Sequence, residues 1–206
     1  MRRSKYGYLL LALLVITGLA GTITSTTISG KERKFAASSL KDTKNDVLRT
    51  VKDLSQAQLE FKAGHGKYSI KEYVYHIASS EKHLWEAFQA ALKQAPNPEK
   101  RSEIKLTDEQ LIEVMEERNC KVTSQADEQL NTRYKTLDEA LEAFKTDLTN
   151  HIKYIKGTTE DLRNHVVNTP FGWVDCYQIC LLISSHSERH TEQIVEIKTD
   201  PKFPSR

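Results

Sequence analysis

Two histidines stand four residues apart in the segment His186-Ser-Glu-Arg-His190 of this 206-residue chain. Turned at 100° per residue, Ile179, Ile183, His186, His190, Ile194 and Ile197 fall within a sector of about 60°. The two imidazoles therefore interrupt an isoleucine stripe, one turn apart, with β-carbons about 5–6 Å from each other. Rings placed so can share one metal ion at about 2.0–2.1 Å from each nitrogen. The H-E-x-x-H motif of zinc proteases uses the same spacing, but its glutamate position holds Ser187 here, which argues against that class. Two core histidines satisfied by carbonyls or hydroxyls are the plainer reading, and spacing alone leaves both open.

A third ligand has to come from another helix. His76 flanks the apolar side of an earlier helix, in a sector shared with the small residues Ser69, Ser80 and Ala87, which leave room for a pocket. His83 lies two turns from His76, about 10 Å along the axis, so the two cannot bind one ion. His151, beside the apolar stripe of a third helix, is the reserve candidate. His65 and His165 sit in loops and read as surface residues.

The elements that must position these residues are helical. Leu40, Thr43, Val47, Val51 and Leu54 step by three or four and predict a helix from about Glu32 to Leu54. Ser69-Ile-Lys-Glu72 and Thr107-Asp-Glu-Gln110 are capping boxes, opening a long helix to about Lys93 and a short one to about Asn119. Thr136-Leu-Asp-Glu139 opens another, striped by Leu137, Leu141, Phe144, Leu148, Ile152 and Ile155 and ended by Gly157. Residues 94–105 and the polar stretch 121–135 read as connections, and Thr169-Pro-Phe-Gly172 as a loop. The last helix is expected from about Trp173 to Lys198. No strand alternation and no repeat is visible. The fold class is all-α: a four-helix bundle with one extra short helix.

Composition bounds the function. Arg2, Arg3 and Lys5 give residues 1–29 a charge of +3 with no acids, so the chain's +2 leaves the remainder at −1. A near-neutral domain gives no reason to expect nucleic acid as a partner. The basic start and the apolar run Leu9–Leu19 make residues 1–29 a signal peptide, with cleavage after Ala20, or a retained N-terminal membrane anchor. Either way the domain, residues 33–198, is expected to be exported, facing a periplasmic or other extracytoplasmic space. Residues 199–206 form a C-terminal tail, and membrane contact is confined to the N-terminal segment. Cys176 and Cys180 are four apart on one predicted helix, a strained placement for a disulfide, and read as small hydrophobes; Cys120 stands alone.

Several segments together resemble the DinB-like (DinB/YfiT-like) metalloenzyme family. Leu54-Ser-Gln-Ala-Gln-Leu59-Glu-Phe61-Lys and Gly66-Lys-Tyr-Ser-Ile70 are similar to its opening motif. Tyr75-His76-Ile77 with Glu81 is similar to its second-helix histidine and following acid, and Pro170-Phe171-Gly172 precedes the last helix as expected. His186-Ser-Glu-Arg189-His190-Thr-Glu-Gln193-Ile194 resembles H-x-x-R-H-x-x-Q-I. The resemblance spans residues 33–198. It implies an up-down-down-up bundle and one divalent ion, zinc or nickel, on His76, His186 and His190. It also implies thiol-dependent transfer or isomerisation as the chemistry of characterised relatives.

Three neutral imidazoles leave an ion its full charge and an open position, so a bound water or thiol would be deprotonated more easily. Glu81 is the nearest candidate for a proton carrier, against its plainer reading as a surface or inter-helix carboxylate. Arg189 and Gln193 are candidate second-layer orienters, with a structural ion pair the alternative for Arg189. Phe171 and Trp173 are pocket or core aromatics. Low-molecular-weight thiol pools are cytosolic, so export favours a hydrolase of a small-molecule substrate over a thiol-type transferase. A non-catalytic metal-binding or structural bundle associated with stress response is the alternative. A solvent-reachable histidine cluster would favour the enzyme and a sealed one the structural bundle. A homodimer is the assembly left open.

Overall fold

The structure, a computed structural model, describes residues 28–117 and 133–206. Its long helices are α1 (Gly30–Val51), α3 (Ile70–Leu92), α5 (Leu137–Gly157) and α6 (Cys176–Ile197). Shorter ones are α2 (Gln56–Glu60) and α4 (Asp108–Glu116), with a 3₁₀ turn over Pro98–Glu103. Side-chain oxygens start the helices. Ser29, Ser55, Ser69, Thr107 and Asp175 each accept from the backbone N–H three residues on, and the acid or glutamine there returns a bond to the cap. At α5 the exchange is incomplete: Thr136 accepts from Glu139, whose carboxylate accepts instead from the N–H of Lys135.

Each of α1 and α3 packs against both α5 and α6. Cross-links fix the directions. The Tyr177 hydroxyl donates to the carbonyl of Glu32, Thr43 to Ser184 and Lys198 to Thr50, so α1 and α6 run parallel. Arg33 donates to Ile155 and Lys44 to Thr149, so α5 runs against α1. Lys82 pairs with Asp147, and Trp85 and Phe88 pack on Tyr154, so α3 and α5 are parallel. Hence α1 is up, α3 and α5 are down and α6 is up, the up-down-down-up order. Leu40, Val47, Ile77, Phe88, Phe144, Leu148 and Ile179 fill the middle, all nearly inaccessible.

Three differences from the sequence reading bear on the site. Residues 166–169 and 172–175 form a two-stranded antiparallel hairpin, β1 (Val166–Thr169) and β2 (Gly172–Asp175), where a loop and no strands were expected. Its turn is Pro170-Phe171, and Gly172 takes φ 99°, a conformation that suits glycine. Asn97 stands in as a third strand, accepting from Val166 N–H and donating to Val166 C=O. The last helix consequently begins at Cys176, capped by Asp175, not at Trp173. His165, expected at the surface, is buried just before β1, its Nδ1 3.0 Å from the carbonyl of Ala91.

The bundle also takes in residues at both margins. Ile28 is buried in the core and Ser29 caps α1, so the last two residues assigned to the leader belong to the bundle. The tail docks on α2: Phe203 packs edge-on to Phe61, and Gln58 donates to the carbonyl of Pro204. Arg163 closes one end by pairing with Glu32, Asp108 and Asp175 and lying over Tyr177. Cys176 and Cys180 are free, buried thiols, pushed upward in pKa by burial, as small core residues should be. Cys120 and most of 121–135 lie outside the described residues. Among those residues no helix is long and apolar enough to cross a membrane.

Candidate metal centre

Because α3 and α6 run antiparallel, the second turn of α3 meets the second half of α6. His76 there faces His186 and His190. Nε2 of His76 is 3.2 Å from Nε2 of His186, which is 3.1 Å from Nε2 of His190. The ring centres are 5.0, 4.6 and 4.4 Å apart. Small neighbours make this approach possible. Ser184 and Ser185 turn their hydroxyls back onto Cys180 and Leu181 carbonyls of their own helix, needing no partner across the interface.

The spacing fits an ion. Ligands at about 2.0–2.1 Å from a tetrahedral centre stand about 3.3 Å from one another, close to the separations found. Three imidazole nitrogens this close cannot all be satisfied by ring protons, whereas three lone pairs aimed at one cation can. The second ring nitrogen of His190 sets its tautomer: Nδ1 lies 2.6 Å from Oε1 of Gln193, so an Nδ1–H donated there leaves Nε2 as the lone pair.

Burial, then the neighbouring rings, then Arg189 all oppose protonation of His186, whose pKa falls well below the ordinary imidazole range. His190 is pushed down to about 3, first by burial and next by His76. Both rings are therefore neutral donors across the physiological range, without needing a carboxylate nearby. His76 and His186 are each 6% exposed, while His190 is only partly buried. The cluster thus opens on the His190 side. Phe171, delivered by the hairpin turn, stands 6.1 Å from His186, and Tyr73 and Tyr68 stand 5.6 Å from His190 and 6.1 Å from His76.

Of the residues singled out in the sequence, His76, His186, His190 and Gln193 come together, with Arg189 near enough to bias both α6 imidazoles. Glu81 does not join them. It is turned to α5, its Oε1 2.8 Å from Nδ1 of His151. Five residues past His76, it lies about 140° around the helix, so position in the chain was a poor guide to nearness. His151 is likewise absent from the triad. Tyr68 and Tyr73 were missed as site residues. Tyr73 lies three residues before His76, a spacing that puts both on one side of α3.

The chain belongs to the DinB superfamily, which it matches over residues 39–194. Its fold is similar to that of YfiT from Bacillus subtilis, described as "a probable metal-dependent hydrolase with an unusual four-helix bundle topology". That likeness has a TM-score of 0.58 at 14% identity and covers 84% of this chain and 89% of YfiT. No curated protein matches by sequence.

Proposed function

We propose that this chain is an exported, metal-dependent hydrolase of a small molecule, its ion a zinc or nickel held by His76, His186 and His190. The observation that carries the reading is the convergence of three imidazoles, with Nε2 of His186 3.2 Å from that of His76 and 3.1 Å from that of His190 and ligand atoms of all three within 4.8 Å of one another, two of them on rings held neutral by burial. When bound, the ion supplies Lewis acidity and lowers the pKa of a coordinated water. Gln193 fixes the orientation of His190, and Arg189 adds a positive charge that favours an anionic or charge-developing substrate on that side. Phe171, Tyr68 and Tyr73 form walls that hold an apolar portion of the substrate and thin the water around it. The partial exposure of His190 favours catalysis over a purely structural site, since an open coordination position needs a route to solvent. The basic and apolar N-terminal segment supports export, and outside the cytoplasm hydrolysis needs no thiol cosubstrate.

The test is metal content followed by activity. Purified chain should carry or take up zinc or nickel, and a panel of esters and amides should include one hydrolysed only by the loaded protein and not by His186→Ala. A loaded protein inert across the panel would leave the non-catalytic metal-binding bundle. A protein that takes up no metal at the triad would overturn the reading altogether.

A further inference from the structure

A second concentration of buried donor atoms lies on the far side of α3. Glu81 is 1% exposed and His151 4% exposed. Neither carboxylate oxygen of Glu81 nor Nδ1 of His151 makes a hydrogen bond among the described residues. Trp85 stacks on His151 at 3.6 Å and on Phe88 at 4.2 Å, fixing the imidazole plane. A buried polar atom without a partner is costly, and folded proteins leave few of them. Oε2 of Glu81 has no partner among the described residues, and Oε1 has only the ring nitrogen of His151 beside it; a carboxylate and an imidazole so placed are of the types that ligate metals and mark a place shaped for a ligand.

The geometry narrows the ligand. Oε1 of Glu81 is 2.8 Å from Nδ1 of His151, yet the contact lacks the angles of a hydrogen bond. Oxygen and nitrogen bound side by side to one ion at about 2.0–2.2 Å stand about 2.9–3.5 Å apart, so an opening of a few tenths of an ångström admits one. Asp147 lies one turn before His151 on α5, on the same face. Among the described residues its one ion pair is a long 3.7 Å contact with Lys82. With His151 it lines a cleft of about 320 Å³ between α3 and α5, which gives an ion a way in.

We propose that Glu81 and His151, joined by Asp147 swinging in from the cleft wall, form a second divalent-metal site independent of the histidine triad. Its mixed carboxylate–imidazole donors suit zinc, and its two negative charges balance the ion where the triad leaves it uncompensated. The triad reading is not needed for this one.

The experiment counts zinc bound at equilibrium by the metal-stripped full chain. Wild type should bind two equivalents, His186→Ala/His190→Ala one, Glu81→Gln one, and the triple variant none. One equivalent in wild type with none in the double variant overturns the second site and leaves the triad standing. One equivalent in both keeps the second site and overturns the triad, provided Glu81→Gln then removes it. Zinc that survives Glu81→Gln on the double-variant background is held elsewhere, and the proposal fails. Circular dichroism checks each fold. Where Glu81→Gln does not fold, His151→Ala on the double-variant background takes its place: loss of the remaining equivalent supports the site, and its survival overturns it.

Discussion

Oε1 of Gln193 lies 2.6 Å from Nδ1 of His190, one turn farther along α6. The amide oxygen accepts the Nδ1 proton, and the opposite ring nitrogen is thereby aimed at His76 and His186. Removing such an outer partner typically costs 10–100-fold in metal affinity, about 1.4–2.8 kcal/mol. Gln193→Ala should therefore weaken zinc at the triad by roughly that factor and leave helix content unchanged. Competition with a chelator of known affinity reads the change. Equal affinity would mean that packing alone orients the ring.

His190→Ala should lower zinc stoichiometry by one. The residue supplies one of three protein ligands, and a two-histidine remainder is weak. Alanine is the best helix former, and trading a partly buried imidazole for a methyl removes a polar group, which offsets part of the cavity cost. Circular dichroism should be unchanged, and in the absence of metal the melting temperature should move little. Undiminished stoichiometry removes His190 from the centre.

The Glu81–His151 pair makes a prediction about alkaline stability in the metal-free protein. Burial pushes Glu81 up to about 9 and His151 down to about 4. Folded, the pair holds one proton between those values. Unfolded, it holds two below about 4.5, one from there to about 6.5, and none above. From 4.5 to 6.5 the counts match, so the pair adds no slope. Above 6.5 the folded state holds the extra proton, and stability should fall by about 1.4 kcal/mol per pH unit until about pH 9. Glu81→Gln should abolish that fall, because nothing then retains the proton; the surrounding Asp147, Lys82, Arg133 and Glu86 are common to both proteins. Urea midpoints at pH 7 and 8.5 provide the comparison. A wild-type slope no steeper than the variant's would show that Glu81 is ionised at neutral pH.

How much of this was legible in the chain depends on how local each signal is. The triad's α6 half was readable because two histidines at i, i+4 break an isoleucine stripe, and the boxes at Ser69 and Thr107 were readable because both partners lie within four residues. His76 needed the family resemblance, since its position on the flank of α3 carries no distinctive pattern. The hairpin was not readable. Its strands are four residues each, too short for alternation to show, and its third edge is Asn97, 69 residues before Val166. A separation of 74 residues likewise hid the burial of His165, whose ring bonds the carbonyl of Ala91. Glu81 looked like a carboxylate near the site because sequence gives separation along the helix more readily than angle around it. Its true partner, His151, comes from the parallel helix α5.

The N-terminal margin of the bundle can be located by truncation. Ile28 is 4% exposed, packed in the core, and Ser29 accepts from Glu32 N–H at 3.2 Å while its own N–H donates to the Glu32 carboxylate at 2.6 Å. Loss of a serine cap costs about 1 kcal/mol, and loss of a buried isoleucine about 1.5–3 kcal/mol as an upper figure. Glu32 would keep Arg163, so the far end of the capping exchange survives in part. A chain starting at Gly30 should accordingly melt about 5–16 °C below one starting at Thr26, at about 2–4 °C per kcal/mol for a domain of this size. Zinc affinity at the triad should be the same in both, because residues 28 and 29 lie at the start of α1 and touch none of its ligands. Calorimetry on the two chains, with a zinc titration beside it, tests both halves. Equal melting temperatures would show that Ile28 and Ser29 contribute nothing beyond what α1 supplies from Gly30 onward.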